Sequence, residues 1–232
     1  MTRRVLLAIV LLLLAPFGTV AQGDAGALLD RVAETAAKLQ DLSCLLVGRL
    51  IDSDGTEIAL EIELRTIPPE GVASAYLLQP DALADNIIVL DGDTVASYTF
   101  LTHQVTLFDA DDPDALGGLI GSGEDGRLDI TFDLQKLFAG FAATLDGESD
   151  TPYGPASVVR LDNVEEGAVI AWVAATIPES TLLPYRLEFH GADDALLAEL
   201  YLEDLQTDVG LDAAEVSYLP DDAEILDERA ER

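Results

Sequence analysis

Residues 58–65 read IALEIELR and give the clearest structural signal in the chain. Every second residue of this stretch is Ile or Leu, and Ala, Glu, Glu and Arg fill the positions between them. A period of two is typical of a β-strand with one buried face and one face in water. The stretch follows the turn Asp52-Ser53-Asp54-Gly55, whose Asp-Gly pair tolerates the positive φ of a tight hairpin. We therefore predict a hairpin whose second strand buries Ile58, Leu60, Ile62 and Leu64.

Apolar runs bounded by turn residues continue on both sides of this hairpin. Because tight turns join successive runs, the strands are expected to be antiparallel. An amphipathic helix is predicted at 25–39. The predicted fold class is α+β, with a strongly curved antiparallel sheet of roughly ten strands that is wrapped around or capped by helices. The individual strands are predicted at 45–51, 58–64, 72–78, 86–90, 95–100, 104–108, 157–161, 168–176, 182–189 and 196–205.

The middle of the chain is predicted to form two short helices that cover the sheet. Asp112 precedes Pro113 in the usual order of an N-cap and a first helical residue, and Asp133 is placed to cap the second helix. A glycine-rich loop at 121–126 separates the two helices. We call this predicted mobile cover the lid. Its apolar residues are Leu116, Leu119, Ile120, Leu134, Phe138 and Phe141.

The start of the chain has the composition of an export signal. Two arginines precede an apolar run, and Thr19-Val20-Ala21 ends it as a small-residue cleavage site. A proline and a glycine interrupt the run before it reaches the roughly 20 apolar residues that a transmembrane helix needs. We predict a signal peptide over 1–21, cleaved near Ala21, and a single exported domain over 22–232. The paired arginines leave the general secretory route and the twin-arginine route both open.

The composition argues against several classes of protein. Lys and Arg number 12 against 44 Asp and Glu, which gives a formal net charge of -32, yet 49% of the residues are apolar. Disordered acidic chains lack such apolar content. Two lysines and a few scattered arginines make no basic face for phosphates, so we expect no nucleic-acid partner. The acidity favours a basic partner by electrostatic steering or serves solubility in a saline habitat, and both explanations stay open.

Residue types that usually carry catalysis or bind metals are scarce. Cys44 is the only cysteine, and His103 and His190 stand in no metal-binding spacing. The sequence has no GxSxG elbow and no glycine-rich phosphate loop. The acidic run at 109–114 lacks the glycine and distal glutamate of an EF-hand, which favours a solvated loop over a Ca²⁺ site. We expect no catalytic residue, no metal and no cofactor, and hence a protein that is not an enzyme.

Four segments carry motifs that occur together in one family of exported proteins. Residues 77–81 read LLQPD, and residues 86–98 read NIIVLDGDTVASY, similar to a QPD turn followed by an SDGKTLWxY-like hairpin. Further on, residues 183–187 read LPYRL and residues 216–227 read VSYLPDDAEILD, which look like the closing strands of that family. With its export signal and first helix in the same order, the chain resembles the periplasmic lipoprotein carriers and their wider lipoprotein-sorting (LolA-like) family.

The resemblance implies that the curved antiparallel sheet forms an unclosed β-barrel of about ten to eleven strands, around an apolar cavity that holds the acyl chains of a lipoprotein or lipid. Such a carrier is expected to be a monomer that takes cargo from an inner-membrane release complex to an outer-membrane acceptor. A second interpretation is a sensory or regulatory module of the same fold that binds a partner protein. The residues predicted to line the cavity are Ile58, Leu60, Ile62, Leu64, Tyr76, Leu78, Tyr98 and Phe100.

Two interpretations remain open for several of these residues. A strand face with a period of two is either plain core or the lining of a ligand cavity. Arg65 is either a solvated residue paired with a neighbouring glutamate or a latch that holds the lid. Cys44, at the start of an apolar strand, is expected to be a buried small hydrophobic residue.

Overall fold

The computed structural model describes residues 20–21, 24–52, 54–110, 138–165 and 167–229, and these contain one thirteen-stranded sheet. Two α-helices accompany it, α1 (Asp24–Ala36) and α2 (Ala213–Val216), and Pro68–Glu70 forms a 3-10 turn. The strands are β1 (Val20–Ala21), β2 (Leu42–Ile51), β3 (Glu57–Ile67), β4 (Val72–Gln79), β5 (Ile87–Asp91), β6 (Thr94–Thr99), β7 (Gln104–Asp109), β8 (Phe141–Thr151), β9 (Gly154–Asn163), β10 (Trp172–Pro178), β11 (Arg186–His190), β12 (Leu196–Thr207) and β13 (Glu224–Asp227).

The strand order across the sheet is β1-β8-β9-β10-β11-β12-β2-β3-β4-β5-β6-β7-β13. Only the outermost pairs, β1 with β8 and β13 with β7, are parallel. The order ends in β1 on one side and β13 on the other, so the curved sheet is not closed into a complete barrel. The predicted α+β fold is confirmed. The strands β1, β8 and β13 add to those that the sequence predicts.

The hairpin of β2 and β3 has the predicted turn and alternation. Gly55 adopts a φ of +83° in the turn, and its amide donates to the carbonyl of Asp52 at 2.8 Å. Leu60 and Ile62 are buried, and Ile58 and Leu64 on the same face are half-buried. We call this side of the sheet the inner face and the opposite side the outer face.

The main hydrophobic core lies on the inner face. Helix α1 buries Ala25, Leu29 and Val32 against it, because these residues recur at three- and four-residue spacing. Ala143 of β8 and Leu77 of β4, which are seven strands apart in the sheet order, belong to the same buried cluster as these helix residues. Since side chains from opposite parts of the sheet pack in one cluster, the inner face is the inside of the curve.

The prediction of a second lid helix is wrong from residue 138 onward, where the structure describes a turn followed by a strand. Gly140 adopts a φ of +88°, ends the preceding turn and directs the chain into β8, which begins at Phe141. Phe138 and Phe141 are 0% and 7% exposed, and their rings pack 5.5 Å apart within the core, with Phe189 6.3 Å from Phe138. These two phenylalanines are therefore core residues. The other predicted lid positions, Leu116, Leu119, Ile120, Leu134 and the loop at 121–126, lie outside the described residues.

Residues 208–229, which we call the strap, cross the outer face of β3 to β7. Val216 of α2 packs against Ile67 and Val72. Leu219 and Ala223 pack against a second small cluster that includes Tyr98 and Val89, and β13 then pairs with β7. The strap thus covers apolar side chains on the outer face of this half of the sheet.

Candidate ligand-binding site

A partly covered apolar surface lies on the inner face of β3, β4 and β5. Leu64 is opposite Ala75 in the strand register, and Ala75 is opposite Ile88, so the three form a row across the strands. Each is only half-buried, as are Ile58 and Leu83, and all five pack against the main core. We call these five residues the inner-face patch.

The inner face of β10, β11 and β12 is closed by the protein itself. Val173, Leu187 and Leu200, on β10, β11 and β12, are at most 1% exposed. A ligand that covers apolar side chains still partly in water gains free energy from the surface it buries. Fully packed side chains would first have to leave their contacts in the core, which costs free energy. The patch is therefore better suited to hold an apolar ligand than the inner face of β10, β11 and β12.

The eight predicted cavity residues do not line one surface. Ile58, Leu60, Ile62 and Leu64 share the inner face, as their alternation predicts. Tyr76 is instead opposite Glu63 in the strand register. Ile87 is opposite Tyr76 on the next strand, and Tyr98 is opposite Ile87, so the row of paired residues that starts at Glu63 includes both tyrosines. Both tyrosines therefore lie on the outer face, and Tyr98 is 4% exposed in the cluster beneath the strap.

The last two predicted cavity residues are displaced by local irregularities. Glu61 pairs with Gln79 whereas Ile62 pairs with Leu77, so Leu78 is the extra residue of a β-bulge. Phe100 follows β6 in a turn, and 56% of its surface is exposed. Neither the bulge nor the turn has a signal in the apolar pattern of the sequence.

Arg65 lies in a groove on the outer face, where it is half-buried. Its Nε donates to Oε1 of Glu63 at 2.8 Å, and Nη2 bonds the same oxygen. A latch for a lid over the inner face would have to stand on the other side of the strand, so the latch interpretation is wrong. Arg65 is the strand-face residue paired with a glutamate. The groove, which we call the outer groove, has a volume of about 310 Å³ and is lined by Glu63, Arg65, Ser74, Tyr76, Ile87, Glu215, Val216 and Tyr218.

A charged cluster that was not predicted from the sequence lies on the outer face of β2, β11 and β12. Glu199 is 8% exposed and accepts hydrogen bonds from Arg49 at 3.2 Å, Arg186 at 3.0 Å and the Tyr201 hydroxyl at 2.6 Å. Burial disfavours its ionised form, but these hydrogen bonds and the two arginine charges outweigh burial, and the pKa of Glu199 is lowered. Burial, followed by the bond to Glu199, raises the pKa of Tyr201 to about 12. The sequence signal for this cluster is the single glutamate, Glu199, within the otherwise uncharged stretch LLAELYL at 196–202.

The two histidines have structural partners. His103 Nδ1 is 3.0 Å from the Tyr98 hydroxyl, and its Nε2 is 3.3 Å from Asp222. His190 stacks on Trp172, with the ring centroids 3.7 Å apart. Across the described residues, no three His, Cys, Asp or Glu side chains are grouped so as to hold a metal ion. In that same part of the chain, neither helix is long and apolar enough to cross a membrane.

Solved structures of other proteins share this fold. An uncharacterized conserved protein from Thermus thermophilus is 19% identical, with a TM-score of 0.62 over 88% of this chain and 99% of that chain. MucB matches at 17% identity and a TM-score of 0.54 over 90% of this chain and 67% of that chain. The lipoprotein LppX of Mycobacterium tuberculosis matches at 11% identity and a TM-score of 0.51 over 82% and 100%. The chain has the fold of MucB and LppX.

The likeness concerns the fold, because sequence identity is low throughout. A LolA superfamily protein from Nitrosomonas europaea also matches, at 11% identity and a TM-score of 0.40 over 85% of this chain and 99% of that chain. The chain spans about two thirds of MucB. No protein-family model and no curated protein sequence matches it. At the level of the fold, the unclosed curved sheet that the resemblance to the lipoprotein carriers implies is confirmed.

Proposed function

We propose that this protein is an exported carrier that shields acyl chains of a lipoprotein or lipid on the inner-face patch. It carries them across the periplasm to an outer-membrane acceptor and performs no chemical step. The observation that supports the proposal is the row of half-buried apolar side chains at Leu64, Ala75 and Ile88, which packs against the main core. The fold shared with LppX and MucB is consistent with it.

Burial of hydrocarbon supplies the binding free energy in this proposal. Each methylene group moved from water to an apolar surface contributes about 0.8 kcal/mol, so even a short contact with an acyl chain is favourable. A charged side chain in the patch would have to lose its water when the chain binds. Introducing one charge at the patch is therefore expected to weaken binding without removing any polar contact.

The test is displacement of a fluorescent fatty acid from the protein. Leu83→Glu places a charge in the patch from the loop between β4 and β5, where Leu83 is half-buried. We expect at least about tenfold weaker binding of the probe. Ala82→Glu adds the same charge at the neighbouring exposed position and is expected to bind like the natural protein.

A second pair of variants repeats the test on strand β3. Ile58→Glu changes the patch, whereas Ala59→Glu changes the exposed next residue on the outer face. Both variants are accepted only when their unfolding midpoints remain close to that of the natural protein. Equal binding by the patch variants and their controls would show that acyl chains do not lie on the inner-face patch.

The outer groove favours a second candidate function, a regulatory module that binds a partner protein. Tyr76, Tyr218 and Arg65 line this groove, and Tyr218 is 61% exposed. Tyrosine and arginine are enriched at protein interfaces. MucB, which shares the fold, has been solved in complex with MucA(peri). A chemical crosslinker carried at position 218, compared with one at exposed Ala192, is expected under this function to capture one defined protein other than the release complex and the acceptor that the carrier function requires.

A further inference from the structure

Five side chains form two rows on the outer face of β2, β3 and β12. In the first row, Val47 of β2 is opposite Tyr201 of β12 on one side and Glu61 of β3 on the other. In the second row, Leu45 of β2 is opposite Glu203 of β12. Residues two apart on a strand point to the same face, so the two rows lie side by side. We call Leu45, Val47, Glu61, Tyr201 and Glu203 the outer-face patch.

The two apolar residues of the outer-face patch keep part of their surface in water. Leu45 and Val47 are half-buried, whereas Cys44 and Leu46 next to them point inward and belong to the main core. Leu45 and Val47 pack neither in that core nor in the two clusters beneath the strap. Because their wet surface needs no rearrangement to be covered, a partner that lies on it gains free energy.

Tyrosine rings extend the patch toward the turn between β8 and β9. The ring centroid of Tyr185 is 5.6 Å from that of Tyr201 and 5.7 Å from that of Tyr153, and both pairs meet edge to face. All three tyrosines are half-buried. Burial, followed by the negative charge of Glu203, raises the pKa of Tyr185, so this carboxylate lies close to the rings. Tyrosine is enriched at protein interfaces.

The outer-face patch also carries negative charge that no neighbouring cation neutralises. The arginines beside it, Arg49, Arg65 and Arg186, form ion pairs with glutamates outside the patch. Glu61 and Glu203 form no ion pair with a residue that the structure describes. A positively charged partner is therefore complementary to the patch, whereas a second copy of this chain would bring the same glutamates against it.

The spacing of these two glutamates sets the shape of a matching partner segment. Neighbouring strands are about 4.8 Å apart and the two rows about 6.7 Å apart, which puts the Cα atoms of Glu61 and Glu203 about 12 Å from each other. An extended peptide advances about 13 Å over four residues, and its residues i, i+2 and i+4 share one face. Basic residues at i and i+4 can therefore meet both carboxylates, with residue i+2 above Leu45 and Val47.

We propose that the outer-face patch docks an extended basic segment of a partner protein. Two basic side chains of the segment pair with Glu61 and Glu203, and an apolar side chain between them lies on Leu45 and Val47. The inference goes beyond the proposed function, because the patch is on the opposite face of the sheet from the inner-face patch and needs no acyl chain. No residue of the outer-face patch lines the outer groove.

The experiment is fluorescence polarisation of a labelled peptide, GSRTLTRSG, titrated at low ionic strength with protein produced from the full-length chain. We expect saturable binding that weakens as salt is added. The peptide GSRTLRTSG has the same composition but turns its second arginine to the other face. It is expected to bind about fivefold more weakly, since it loses one exposed charge pair. GSRTSTRSG, without the leucine, is expected to bind at least about fivefold more weakly.

Variants of the protein locate the binding. Glu61→Gln and Glu203→Gln each remove one charge of the patch, and each is expected to weaken binding of GSRTLTRSG by about fivefold. Glu148→Gln removes the same charge at an exposed position of β8 and is expected to leave binding unchanged. Leu83→Glu, in the inner-face patch, is also expected to leave it unchanged.

Four outcomes would overturn this inference. They are the absence of saturable binding, equal affinity for GSRTLTRSG and GSRTLRTSG, equal binding by the two patch variants and Glu148→Gln, and dimerisation of the natural protein through the patch without peptide binding. The fatty-acid displacement test is independent of these results. Peptide binding together with failure of that test would leave the inference standing and the carrier proposal refuted, and the reverse result would leave the carrier proposal standing alone.

Discussion

The buried carboxylate of Asp41 fastens the strap to the start of β2 through the amide of Gly210. Oδ2 of Asp41, which is 4% exposed, accepts that amide hydrogen at 2.8 Å. The amides of Val209 at 2.9 Å and Leu211 at 3.3 Å donate to the same carboxylate. A buried carboxylate is tolerated when hydrogen bonds replace its lost water, and here one side chain holds three consecutive amides.

Removing this carboxylate should loosen the strap. Asp41→Ala leaves three amides without their acceptor, and we expect the free energy of unfolding to fall by about 3 kcal/mol. Faster hydrogen exchange at residues 209–211 would accompany the loss. Asp221→Ala, at an exposed position of the strap, is the control and should change the stability by less than about 0.5 kcal/mol. Similar losses in the two variants would contradict the anchoring role of Asp41.

Gly48 marks a close approach of β2 to β12. A Cβ atom built at Gly48 would lie 2.0 Å from the carbonyl oxygen of Glu199, a backbone atom that cannot rotate away. We therefore expect Gly48→Ala to lower the free energy of unfolding by about 2 kcal/mol or more, although alanine usually suits a strand better than glycine. At Gly191 the nearest atom would be 3.4 Å away, so Gly191→Ala is the control. Urea denaturation followed by the fluorescence of Trp172, the only tryptophan, compares the two.

The hydrogen bonds of Glu199 predict a pH-dependent stability. Its folded-state pKa is lowered, so its stabilising contribution is present above the unfolded pKa of about 4.3 and is lost as the pH falls through the folded value. Glu199→Gln should lower the free energy of unfolding by about 2 kcal/mol at pH 7. This deficit should shrink as the pH falls from the unfolded pKa of about 4.3 through the lowered folded pKa, because the natural side chain is neutral as well at the end of that range.

The control for this pH effect is Glu188→Gln. Glu188 accepts one hydrogen bond from Arg186 at 2.9 Å, and its side chain is 23% exposed against 11% for Glu199. We expect a smaller deficit at pH 7 and a weaker pH dependence. A deficit for Glu199→Gln that stays constant from pH 7 to pH 3 would mean that the ionised carboxylate is not what stabilises this cluster.

The Cys44 thiol should be inert in the folded protein. Cys44 is 3% exposed, as the sequence predicts, and burial raises the pKa of its thiol to about 12. Because the thiolate is the reactive form, a maleimide reagent at pH 7.5 should label the native protein far more slowly than the same protein in urea. Equal labelling rates would show that β2 opens readily around this residue.

The sequence predicts the fold where side-chain pattern and turn chemistry agree. The alternation in IALEIELR places Leu60 and Ile62 on the buried face of β3, and the Asp-Gly pairs at Gly55 and Gly92 mark hairpin turns with positive φ. Both signals are local, so one segment is enough to read them. They predict most of the strands, whereas the unclosed form of the sheet was implied by the family resemblance.

The candidate site was harder to predict because it depends on register and on distant chain segments. The strap covers the outer face of β4 to β6, so apolar residues occur on both faces there and alternation no longer identifies the inside. Tyr76 and Tyr98 were misplaced for this reason, and Leu78 because of a bulge. At Phe141, helical spacing of apolar residues misled the prediction, since Gly140 in a left-handed conformation starts a strand instead.

Native mass spectrometry of the protein isolated with its natural cargo tests the carrier proposal most directly. Protein produced from the full-length chain in cells that make lipoproteins is purified without detergent and weighed intact. We expect one bound lipid or lipoprotein per chain in the natural protein and in Ala82→Glu, and a large loss of that bound mass in Leu83→Glu. A cargo-free natural protein, or equal bound mass in all three proteins, would contradict the claim that the inner-face patch carries acyl chains.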